Sequence, residues 1–143
     1  MNTRLAASEL PELARLTVRF ANDLLSTSDH WTRYRIARNA RGFSCFPYDP
    51  HAFKRCLYGS IVGACTILGW DRDVATDDVR RNTDLASEYV SSFIPENWRK
   101  RNLAPNELLE VFNDSPETKF EDVKSALSKA VEEIDAYLAE RPL

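Results

Sequence analysis

Apolar residues recur at three- and four-residue spacing through most of the chain, the signature of helices that bury one face. The clearest stripe is the last: Phe120, Val123, Leu127, Ala130, Val131, Ile134 and Leu138 line one side of residues 119–140. Thr118 and Glu121 stand at capping-box spacing before it. Leu10, Leu13, Thr17, Phe20, Ala21 and Leu24 predict a first helix over residues 8–26, with Ser8 as its N-cap and Pro11 in its first turn. Val79, Leu85, Tyr89, Val90 and Phe93 follow Thr76, Asp77 and Asp78, a helix start with acids on the dipole, and stop before Pro95. Leu108, Leu109, Val111 and Phe112 follow Ala104 and Pro105 and predict a short helix.

Two further elements have weaker patterns. The spacing predicts a helix over residues 29–40, ended by Gly42 in a left-handed turn. Residues 43–49, with their aromatics and Pro47, read as a short extended segment. Residues 56–70 carry no charge and predict a central buried helix, entered through Pro50 and ended by Gly69. Residues 96–103 are polar and read as irregular. The expected fold is therefore all-α or mainly α: an orthogonal bundle of five or six helices around a buried central helix, with a minor extended segment near residues 43–49. Residues 1–143 read as a single helical domain.

Composition narrows the setting. The 143 residues are 43% hydrophobic and 29% charged, globular values. Arg4, Glu9, Glu12 and Arg15 interrupt any secretory apolar core. The uncharged run is shorter than the roughly 20 residues a bilayer requires, so a cytoplasmic protein with no membrane span is expected. Cys45, Cys56 and Cys65 read as reduced thiols in that compartment, and their spacing suits neither a zinc site nor any other metal. Nothing implies a cofactor.

Charge is polarised. Residues 30–55 hold six bases (Arg33, Arg35, Arg38, Arg41, Lys54, Arg55) against Asp49, a balance of +5. Residues 106–140 hold ten acids against three lysines, a balance of −7. The two regions could neutralise one another inside the fold, or one could face a partner. A net charge of −3 disfavours nucleic acid, although the basic patch leaves it open.

Several short elements resemble a family of small bacterial and phage proteins classed as a domain of unknown function. They are Trp31, the run Arg38-Asn39-Ala40-Arg41-Gly42, Ala52, the Cys-x-x-Gly element from Cys56 to Gly59, and Phe112-Asn113-Asp114. Val123 and Ala130 of the terminal helix extend the likeness. Where the family carries Trp-Cys and Gly-Ala, this chain has Arg55-Cys56 and Gly59-Ser60. The resemblance implies a common fold and no particular activity.

Three groups of residues could carry chemistry. Cys56 with His51 and Asn113 or Asp114 has the residue types of a thiolate nucleophile, its base and an orienting group. On one helix, however, His51 and Cys56 would stand about 140° apart. The alternative is a buried structural Cys beside capping polar groups. Trp31, Tyr34, Arg35, Arg38 and Arg41 would fall on one side of a helix and could bind an acidic partner or stack bases. The alternative is a core Trp rimmed by arginines. Cys56, Gly59, Ser60, Gly63, Ala64 and Ile67 form a small-residue face, expected to receive another helix closely, or else to form a pocket floor or homodimer seam. The expected function is a non-enzymatic intracellular interaction or regulatory protein of bacterial or phage origin, with a protein partner or a homo-oligomer. The alternative is a small cysteine-dependent enzyme centred on Cys56.

Overall fold

The amphipathic stripes become helices in the computed structural model, which describes residues 4–6 and 9–139. These are α1 (Leu10–Leu24), α2 (Leu57–Asp71), α3 (Thr76–Ser91), the single turn α4 (Glu96–Arg99), α5 (Pro105–Asp114) and α6 (Phe120–Ala139). Ser8, Glu140 and the side chain of Leu138, each assigned a role from the sequence, lie outside the described residues.

The stripe of α1 buries Leu13, Ala14, Thr17, Val18 and Ala21 between α2, α3 and α6. The α6 stripe returns Val123, Ala126, Leu127, Ala130 and Ile134 to the buried interior. Phe112 of α5, 2% exposed, joins this core with Leu57, Ile61, Val90 and Ile94. A mainly-α bundle results. α2 is apolar without a preferred side and packs against α1, α3 and α5, as a helix enclosed by neighbours should.

The segment expected as a helix over residues 29–40 is not one. A 3₁₀ turn (Ser28–His30) leads into extended backbone at Trp31, Tyr34 takes a left-handed φ of 69°, and Ala37–Asn39 form strand β1. The physical reason lies in what the pattern offered. Arginines at helical spacing without an apolar stripe give a helix nothing to bury. The sheet, by contrast, pairs the segment's backbone. β1 runs antiparallel to β2 (Ala52–Arg55) with Ala37 opposite Arg55 and Arg38 opposite Lys54. Bridges from Arg38 to Ser44 and from Trp31 to Arg55 extend the sheet on either side.

Strand β2 also displaces the expected start of the central helix from Pro50. Pro50 instead lies in a turn closed by Asp49, whose carboxylate accepts the His51 amide while its carbonyl accepts that of Ala52. α2 begins at Leu57 with Cys56 as N-cap. It also runs past Gly69, whose bare Cα faces a Val79 methyl: an added Cβ would lie 2.7 Å from it. That glycine serves close packing rather than termination.

On the small-residue face of α2, Gly59 and Gly63 receive the sheet insert, while Ala64 joins the core of the bundle. A Cβ at Gly59 would run into the Ile36 carbonyl, and one at Gly63 would lie 2.6 Å from the Pro47 carbonyl. Two glycines thus let backbone from residues 36–47 rest directly on the helix.

Candidate functional site

Of the residues that carried the resemblance, Trp31, Cys56 and the Asn113–Asp114 pair meet at the N-terminus of α2. Asn113, fully buried at the end of α5, accepts hydrogen bonds on Oδ1 from Trp31 Nε1 (2.6 Å) and from the Leu57 amide (2.9 Å). Its Nδ2 donates to the Thr32 carbonyl and to Asp114 Oδ1. Asp114 Oδ1 also accepts the Tyr34 amide at 2.9 Å, which holds the left-handed residue in place. Arg38 ties the insert internally, donating to Thr32 Oγ1 and to the Gly42 carbonyl, both at 2.9 Å. A buried carboxamide that satisfies three chain segments at once works as a clamp.

Cys56 sits in this junction. Its Sγ accepts the Gly59 amide at 3.2 Å, a helix N-cap made by sulfur. Burial pushes the thiol up from about 9 to about 12; the Gly59 bond opposes that shift, and the Asp114 and Glu110 carboxylates add to it. A helix N-terminus favours a thiolate, but here desolvation dominates. Asp114 and Cys56 line one small cavity, of about 180 Å³, with Tyr34, Arg35, Ile36 and Glu110. The Glu110 carboxyl is raised by burial and by its neighbours Asp114 and Glu107. His51 is not there. It lies at the far end of β2, five extended residues or about 16 Å of chain from Cys56. It lines a different cavity, about 340 Å³, with Asn39, Ala40, Arg41 and Phe43.

The proposed arginine face divides in two. Arg33 lies over the Trp31 ring at 4.5 Å and donates to the Thr118 carbonyl at the start of α6. Trp31 packs against the core beside Phe120, so Trp31 and Arg33 hold the insert to the bundle, whereas Arg38 bonds only within the insert. Arg35, Arg41 and Tyr34 remain exposed. Among the described residues no ion pair joins a base of residues 30–55 to an acid of residues 106–140, so the two charged regions do not neutralise each other by contact. Arg55 is buried instead against a carbonyl, donating from Nε to Pro47 at 2.7 Å, and burial lowers its pKa.

Sequence reasoning missed Ile36, Phe43, Phe46 and Glu110. The signal of the first three was present in the run of aromatic and aliphatic residues within a basic, Pro- and Gly-punctuated segment too short to form a core of its own; Glu110, on α5, left none. A third cavity, about 540 Å³, is lined by Ile36, Asn39, Ser44, Cys45, Phe46 and Asp49. It shares Ile36 with the cavity at Cys56 and Asn39 with the cavity at His51. These shared residues make the three depressions neighbours along the insert. Among the described residues, no group of three or more His, Cys, Asp or Glu side chains could hold a metal, and no helix is long and apolar enough to cross a membrane.

A helical bundle that carries a clamped sheet insert with neighbouring surface depressions defines this protein structurally. The chain belongs to a family of unknown function, DUF6197, whose model matches residues 11–133. No curated protein and no solved structure matches it significantly.

Proposed function

We propose that the chain is a non-enzymatic intracellular interaction or regulatory protein, of bacterial or phage origin, and that the sheet insert is its contact surface. One observation carries this reading. Of the eight large hydrophobic side chains exposed among the described residues, five (Tyr34, Ile36, Phe43, Phe46 and Phe53) fall within residues 34–53. Tyr34, Phe43 and Phe46 are about two-thirds exposed, and Trp70, exposed at the end of α2, joins them through Tyr48. Apolar area concentrated this way on a polar-rimmed surface is characteristic of interaction sites.

The chemistry at Cys56 supports the same reading. A nucleophilic cysteine needs a lowered pKa and a base within reach. Cys56 has a raised pKa, and His51 occupies another depression. Asp114 beside the thiol is what the cysteine-enzyme alternative retains.

The test uses Phe43→Glu combined with Phe46→Glu, both at exposed positions, with Tyr137→Glu as a control on another exposed aromatic. A partner retained by the original chain and by the control, and lost by the double variant with unchanged circular dichroism, is the expected result. Equal retention by all three, or no specific partner at all, would overturn the proposal.

A further inference from the structure

A further cavity lies away from the insert, where the middle of α3 faces the start of α5. It measures about 300 Å³ and is lined by Asp84, Ser87, Glu88, Ala104, Pro105 and Asn106. Positions 84, 87 and 88 share one face of α3, so two carboxylates stand one helical turn apart with a hydroxyl beside them. Ser87 is 2% exposed, and its Oγ has no hydrogen-bond partner. Buried polar groups are nearly always paired, so an unpaired hydroxyl on a cavity wall calls for a partner from the cavity.

No base lines this cavity, and neither Asp84 nor Glu88 forms an ion pair among the described residues. The neighbouring bases are held elsewhere. Arg99 donates to the Ile94 carbonyl at 2.9 Å, and Lys100 reaches Glu96 at 4.0 Å. Arg101 lies over the Trp98 ring at 4.2 Å, and Arg81 pairs with Asp78 at 3.6 Å. Arg80, one turn before Asp84, makes no ion pair with it. Burial raises the half-buried Tyr58 hydroxyl, and Glu110 and Asp84 add to the shift, so the negative field spans α3 and α5. The start of α5 does not reserve the cavity for an anion. Pro105, its first residue, has no N–H, and Glu107 stands in its first turn.

We infer that this α3–α5 cavity binds a primary ammonium group, carried by a free polyamine or by a lysine side chain, with Asp84, Glu88 and Ser87 Oγ as its three acceptors. An ammonium has three N–H donors and accepts nothing, which matches two carboxylates and an unpaired hydroxyl. Ala104 and Pro105 offer apolar surface to the methylenes behind it. A calcium ion takes roughly six to eight oxygens, more than these side chains supply. The inference is independent of the insert as a contact surface, because this cavity shares no lining residue with those at Cys56, Cys45 and His51.

The experiment follows amide NMR shifts of the full chain at neutral pH. It is titrated separately with pentylamine, spermidine and N-acetyl-lysine methylamide, and with pentanol and magnesium chloride as controls. The amines are expected to move the amides of residues 84–88 and 104–107 saturably, and to weaken as salt rises; pentanol is not expected to bind. Asp84→Asn combined with Glu88→Gln should weaken the amines at least about tenfold, and Ser87→Ala about fivefold. Thermal denaturation without ligand supplies the structural control. Ser87→Ala removes an unpaired buried hydroxyl and should leave Tm level or higher, so a loss of amine binding there does not come from lost packing. Spermidine that binds more than about tenfold tighter than the lysine analogue assigns the site to polyamines; a smaller difference, or the reverse, assigns it to a partner's lysine. Pentanol that binds as well as pentylamine, unchanged amine binding in Ser87→Ala, or no saturable shift at these residues would overturn the inference. So would magnesium that saturates the same amides more tightly than the amines do.

Discussion

The indole Nε1 of Trp31 donates to Oδ1 of Asn113 at 2.6 Å, across 82 positions of sequence, and the Leu57 amide donates to the same oxygen. One buried carboxamide therefore fixes the entry to the sheet insert, the start of α2 and the end of α5 relative to one another. The cavity at Cys56 depends on this junction, because its lining residues Tyr34, Arg35 and Ile36 follow directly from it.

Removing that carboxamide should be costly. Asn113→Ala would leave the Trp31 indole N–H and the Leu57 amide without their acceptor, at about 1–3 kcal/mol for each buried unpaired group. We expect about 3 kcal/mol or more in total, a fall in Tm of roughly 10 °C by thermal denaturation. A change under about 3 °C would mean that other groups take over the clamp.

The glycines of α2 should rank by what their bare Cα faces. Gly59→Ala meets the Ile36 carbonyl, and Gly63→Ala meets the Pro47 carbonyl, both backbone that cannot turn aside. Gly69→Ala meets a Val79 methyl that can rotate, and it gains up to about 1 kcal/mol of helix propensity. Urea denaturation should therefore order the losses Gly59, then Gly63, then Gly69, with the first above about 2 kcal/mol. A Gly59→Ala protein as stable as the original would contradict the seating of the insert on α2.

The Cys56 thiol gives an alkaline signature. Its folded pKa, pushed up to about 12, lies above its ordinary value near 9. The unfolded chain thus loses this proton first, and stability is intact below about pH 9 and falls as pH rises toward 12. Cys65, also raised by burial, acts in the same direction. Cys56→Ser keeps an N-cap oxygen and removes the titration. Its stability should stay level or rise at pH 7 and should decline less steeply in alkali. Iodoacetamide at pH 8 should modify half-exposed Cys45 before Cys56 and Cys65. Early labelling of Cys56 would refute its buried, protonated state.

Arg38 makes a more local prediction. Its bonds to Thr32 Oγ1 and the Gly42 carbonyl cross the insert without entering the bundle core. Arg38→Ala should cost only about 1 kcal/mol globally. Amide exchange at Phe43 and Cys45 should nevertheless quicken, while α1 and α6 stay protected. Uniform loss of protection would show that the insert unfolds together with the bundle.

Much of the bundle was legible from spacing alone. α1, α3, α5 and α6 each carry an apolar stripe that only a helix turns to one side, and prolines mark the starts of α1 and α5. Asn113 and Asp114 also stood out, as polar residues following Phe112. Their roles were not legible, because a carboxamide's partners lie tens of residues away and leave no local periodicity. The segment over residues 29–40 failed for the complementary reason: its helical spacing belonged to arginines, which do not drive burial.

What the sequence determined by itself was the set of amphipathic helices, the uncharged core helix, the polarised charge and the absence of metal-ligand spacing. All are consequences of local pattern and composition. Only the tertiary structure decided that residues 36–55 lie on Gly59 and Gly63, that Cys56 caps α2 while His51 lines a different cavity, and that Arg35 and Arg41 face outward while Arg33, Arg38 and Arg55 are tied into the fold. Each of these depends on backbone and side-chain groups distant in sequence meeting at bonding distance, which spacing along the chain does not encode.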